Sequence, residues 1–228
     1  MPVRRDALRP GDHIYSDRCA SIYFHHALFR IFRTKNRRRK MKTVRRDALQ
    51  RADHIYTDCS WGLYYHHGIY VGKAKVTNPK NGEQREIYDA VIHLFGPTKD
   101  SSKAQCQQCF HLPQNAGVSI TCLDCFLGGH SLYVYKYDVS YWKLRLKRSG
   151  TCSVWSSKPA DEVIQIAFTL LEKNSFGNYN FLFNNCEDFA TYCKTGQATS
   201  NQAAGVLFGF GLPGVVGYNA LKELYFRN

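Results

Sequence analysis

The chain lacks an uninterrupted apolar run of the roughly 20 residues that a helix needs to cross a bilayer core. Its opening, residues 1–13, is charged and no apolar core follows, so no secretory leader is expected. Acidic residues are missing from 30–46, where ten Lys or Arg lie together, and the formal net charge of +13 leaves only +3 for all other residues. Also missing are a recognition-helix signature, paired fingers of the helix-reading type and an aromatic RNA-binding box, so nucleic-acid binding is not the expected main function. The basic run 30–46 reads instead as a solvated linker, a nuclear-address-like patch or a segment drawn to anionic phospholipid. Without a leader, the nine cysteines are expected to be reduced and available as metal ligands, and the location intracellular.

What is present is enough apolar residue, 44% of 228, to bury one main domain. Residues 3–26 recur at 44–67 with 14 identities in 24 positions. Two copies would compete for one strand pair, and the second continues into GIYVG while the first continues into ALFRIF. The glycine of GIYVG gives a neighbouring backbone or a substrate room to approach the strand, so the second copy is assigned to the domain. Three segments follow: 1–43, a duplicated piece with a basic linker and little order; 44–195, the domain; and 196–228, a Gly-rich tail. The uncharged stretch 203–218 is too short and broken to span a membrane. It reads as a peripheral membrane contact or as a tail packed on the domain.

Within the domain, strands are expected near 53–56, 64–73, 87–95 and 131–139, forming a small antiparallel sheet, with 97–129 as a Cys-rich loop insertion. Pro159 with Asp161 and Glu162 predicts a helix start, and Val163, Ile166, Ala167, Leu170 and Leu171 recur at helical spacing to about Asn174. A second helix runs from Cys186 to just before Gly196. On it Phe189, Ala190 and Cys193 follow Cys186 at i+3, i+4 and i+7, so the side carrying Cys186 is expected to be buried.

Cys106, Cys109, Cys122 and Cys125 form C-x2-C-x12-C-x2-C. Four soft ligands in two such pairs suit a closed, tetrahedral structural Zn²⁺. Free thiols or a redox dithiol are the alternatives; no catalytic cofactor is expected.

Cys186 in NCEDFA sits at a helix N-terminus, where the macrodipole favours thiolate, and His66 in YYHHGIYVG and His93 in AVIHLFG lie upstream. His67 follows His66 on a strand and must point to the opposite face. These three boxes, in this order, resemble the lecithin:retinol acyltransferase family, a permuted relative of the NlpC-type papain-like thiol enzymes. With Asp188 where many animal members carry His, the chain resembles the plant-type branch. The resemblance implies an α+β fold of permuted papain-like, NlpC-like type, an antiparallel sheet packed against helices. It implies Cys186 as acyl-accepting nucleophile, His66 as base and His93 as the residue that orients it, with a phospholipid as acyl donor. A non-catalytic scaffold or membrane adaptor, and a cysteine peptidase or amidase, are the rival readings.

Overall fold

The computed structural model describes residues 41–59, 64–96, 104–112, 116–146, 150–177, 180 and 184–200. The first repeat copy, most of the basic run and the 203–218 stretch lie outside them, as do the readings placed there.

A 3-10 turn, Arg46–Ala48, leads into β1 (His54–Asp58), and three long-range strands follow: β2 (Tyr65–Thr77), β3 (Gln84–Phe95) and β4 (Gly117–Cys122). The short helix α1 (Leu123–Leu127) precedes β5 (Leu132–Val134); α2 (Tyr141–Leu146), α3 (Ala160–Lys173) and α4 (Cys186–Thr195) complete the described elements. The strands form one antiparallel sheet in the order β4-β3-β2-β1-β5. The expected α+β architecture is therefore present.

Three expectations need correction. Residues 97–129 are not merely an insertion, because Gly117–Cys122 pairs along β3 from Ala90↔Cys122 to Phe95↔Gly117 and extends the sheet by a strand. The strand expected over 131–139 ends at Val134; beyond it the chain runs beside 151–155 through the isolated bridge Lys136↔Cys152 and the Asp138 and Val139 N–H bonds to the Trp155 and Ser153 carbonyls. Cys59 is disulfide-bonded, against the expectation of reduced thiols, while the other seven described cysteines carry no disulfide.

Strand alternation divides β2 between two faces. Ile69 and Val71 join Ile92 and Leu94 of β3 against α3 and α4, where Val163, Ala167, Phe189, Ala190 and Cys193 are buried. Tyr70 and Val91 point the other way, into a smaller cluster with Leu123, Phe126 and Leu127 of α1. Each fully buried Ile or Phe contributes on the order of 1.5–3 kcal/mol, so the two-sided burial of β2 and β3 makes them the rigid centre of the molecule. The functional side chains project from that centre.

Candidate active site

The start of α4 is built by its cap. Asn185 is extended and its side-chain oxygen accepts the main-chain N–H groups of Glu187 (2.9 Å) and Asp188 (3.2 Å). Asp188 returns the bond, its carboxylate accepting the Asn185 N–H at 3.0 Å. This reciprocal capping box explains an acid at position 188, three residues past the cap. The Asn185 carbonyl takes the Phe189 N–H at 3.0 Å. Among the described residues, the Cys186 N–H is the amide of this turn left without a hydrogen-bond partner.

Cys186 meets the sheet edge-on. The Tyr64 carbonyl accepts the Cys59 N–H (3.1 Å), and Tyr70 exchanges main-chain bonds with Ala52 and Asp53, so even-numbered residues of β2 bond toward β1. The Tyr65 carbonyl and His67 N–H therefore point toward β3. Yet pairing between β2 and β3 begins only at Ile69↔Ile92, which leaves a mouth between the two strand ends. The Cys186 thiol occupies it, 3.7 Å from the Tyr65 carbonyl and receiving the His67 N–H, with the Tyr64 hydroxyl at 3.2 Å. The sulfur thus lies against the main chain on either side of His66.

His66 and His93 bridge the same mouth on one face of the sheet, Nε2 to Nδ1 at 2.7 Å. The other nitrogen of His93 lies 3.0 Å from the Thr121 hydroxyl on β4. Nδ1 of His66 has no hydrogen-bond partner among the described residues. Phe95 and Phe126 pack on both rings. Burial holds His66 down to about 4 and His93 well below the ordinary histidine range, so both rings are neutral near pH 7.

The thiol does not behave as the helix dipole alone would dictate. Cys186 is fully buried, and desolvation pushes it up to about 12 against the opposing bond from Tyr64. Taking a full charge out of water outweighs the half-charge of a helix end. At rest the thiol and both imidazoles are neutral, and the sulfur's hydrogen bonds are with Tyr64 and the main chain of Tyr65 and His67 rather than with either ring.

His67 faces the other way, as alternation requires. It forms a second histidine pair that sequence reasoning missed: His54 Nε2 to His67 Nδ1 at 2.8 Å, with His54 Nδ1 2.8 Å from the Tyr137 hydroxyl. Tyr135 stacks on His54 at 4.2 Å and reaches the buried Glu187 carboxylate, which also accepts from Ser200. The signal available in the sequence was the DHIY box shared by both repeat copies, in which His54 alternates with Tyr56 toward this face.

The four cysteines of the paired motif converge. Their sulfurs all lie within 4.8 Å of one another, with Cys106 to Cys122 at 4.0 Å and Cys109 to Cys125 at 3.7 Å. Sulfurs around a tetrahedral metal with bonds near 2.3 Å stand about 3.8 Å apart, so the cluster can hold a metal ion once its wider pairs draw in. Bonds from the Cys122 and Cys125 thiols lower the Cys109 thiol below its ordinary range.

The family model described as "Lecithin retinol acyltransferase" matches residues 47–199. Protein LEAD-SENSITIVE 1 of Arabidopsis thaliana is 35% identical over 198 residues, covering 85% of this chain and 60% of the relative. The chain thus spans less than two thirds of that relative's length. The match takes in every element from the 3-10 turn's last two residues to the end of α4, and with it the capped thiol and the histidine pair, so the chain belongs to the lecithin retinol acyltransferase family.

Proposed function

We propose that the chain transfers acyl groups from a phospholipid through a thioester on Cys186. Family membership points to thiol-dependent acyl transfer or hydrolysis. The observation that carries the finer reading is the placement of the Cys186 sulfur in the β2–β3 mouth, against the main chain flanking His66, whose Nδ1 is uncommitted.

A neutral thiol at this site must lose its proton as it attacks. His66 Nδ1 takes the proton while Sγ bonds to the ester carbonyl carbon, and the carbonyl π electrons move onto oxygen. The uncommitted Cys186 N–H donates to that oxyanion. Collapse expels the lysophospholipid alkoxide, which recovers the proton from His66, and leaves the acyl-thioester. Water, an amine or an alcohol then attacks with His66 again as base, releasing the acyl product and restoring the thiol. His93, tied to Thr121, holds His66 in the tautomer that leaves Nδ1 free to accept.

The tetrathiolate cluster is read as a structural Zn²⁺ site, because four sulfurs close the coordination shell. Among the described residues no helix is long and apolar enough to cross a membrane. Contact with the lipid surface is assigned to the basic run 30–46 and the stretch 203–218.

Intact mass spectrometry of the protein with mixed phospholipid vesicles tests the reading, with Cys186→Ala in parallel. Wild type should gain a fatty-acyl mass and the variant none, with both equally folded by circular dichroism. The burial of Cys186 favours the rival scaffold reading, and an unmodified wild type would replace the enzyme with it.

A further inference from the structure

The walls of the His66–His93 pair alternate along the chain with the four cysteines. Thr121, the hydroxyl partner of His93, immediately precedes Cys122. Phe126, whose ring centroid is 5.1 Å from His66 and 5.2 Å from His93, immediately follows Cys125. His111, two residues beyond Cys109, stacks on Phe95 at 4.7 Å, and Phe95 stands 4.3 Å from His93. Every wall is therefore one or two residues from a sulfur, or rests on a ring that is.

Two separate pieces of chain meet here: the 104–112 turn, closed by the Cys106 N–H to His111 carbonyl bond (3.0 Å), and the β4–α1 corner. The cysteines of both are free, so no covalent bond joins the two pieces at the cluster. On β4, Cys122 faces the core shared with α4 while Thr121 faces the imidazoles, so a force on the sulfur turns the strand that carries the hydroxyl. On α1, Cys125 and Phe126 are neighbours on one short turn with the same consequence.

We propose that a soft divalent cation held tetrahedrally by Cys106, Cys109, Cys122 and Cys125 sets the His66–His93 hydrogen bond, by fixing Thr121, Phe126 and His111 around the two rings. Metal binding to four thiolates is coupled to folding, so it can order two segments that lack a core of their own. The effect on Cys186 rests on the acyl-transfer reading; the effect on the histidines does not.

The full chain is titrated first with Co²⁺ as an optical probe. One equivalent should produce the thiolate-to-metal absorption and visible bands of a tetrahedral site, and Cys122→Ser with Cys125→Ser should remove them. Absence of those bands in wild type overturns the proposal. The imidazole N–H shared by His66 and His93 is then followed by NMR, assigned by its loss in His93→Gln, in the Zn²⁺-loaded and chelated protein. Its loss on chelation and return with Zn²⁺ is expected, and an unchanged signal without metal overturns the proposal. Phe126→Ala separates transmission from general unfolding: it should still bind one Co²⁺ while the shared signal weakens, and an unaltered signal overturns the link through the wall. Alkylation of Cys186, read at the peptide level, should slow about tenfold on chelation, a loss of roughly 1.4 kcal/mol. If the imidazole signal responds to metal and Cys186 does not, the action of His66 on Cys186 fails while the metal link stands.

Discussion

A Cβ at position 68 would stand 2.7 Å from Val91 Cγ1, 2.9 Å from Phe126 and 3.1 Å from the His93 Cβ. Gly68 is a spacer: its missing side chain lets α1 close over β2 and brings the walls of the histidine pair into contact. Gly68→Ala should cost about 1–3 kcal/mol as overpacking, read as a lower midpoint in urea with an unchanged slope. An unshifted midpoint would mean that α1 yields without cost. The reading of this glycine as a site of close approach came from its place inside GIYVG, because a glycine in an otherwise β-branched and aromatic strand has few other uses. What approaches it, Phe126, is 58 residues away and belongs to a segment read as an insertion.

At the scale of the element, α4 depends on its first turn. Asn185 is 3% exposed and satisfies two main-chain amides that have no helical partner, so Asn185→Ala leaves both unsatisfied away from water. A loss of about 1–2 kcal/mol is expected in thermal or denaturant melts. Asn185→Ser, which restores an acceptor, should recover most of it; failure to recover would show that the amide group has some further role. The start of α4 at Cys186 and the end at Gly196 were legible because caps are local chemistry. The strand β4 was not legible. Its six residues lie between two cysteine pairs, and only the exposed edge of β3, remote in sequence, turns them into a strand.

For the whole molecule, four histidines, His54, His66, His67 and His93, are held below the ordinary value near 6.5, in each case first by burial. The unfolded chain takes up protons on all four as pH falls through 6.5, whereas the folded chain resists until much lower, near 4 for His66. Their contribution is complete above pH 6.5 and is lost as pH falls from there toward 4. Asp53, raised by burial, acts in the opposite direction, as one group against four. The melting temperature should stay level between about pH 7 and 8 and drop on the order of 10 °C by pH 5, measured by circular dichroism. A flat profile down to pH 5 would mean that water reaches these rings.

By itself the sequence determined the family, the helix that presents Cys186, the alternation that separates His66 from His67, and the cysteine spacing that suits a metal. All of these are local: caps, strand period and motif spacing act over a few residues. Only the tertiary structure decided that β2 and β3 part before their ends, that the thiol enters the gap edge-on, and that burial leaves it protonated. It also decided that the cysteine cluster and the histidine pair share their walls. Those outcomes depend on which strand edges meet and how much water is excluded, and both are set by contacts between residues far apart in the chain.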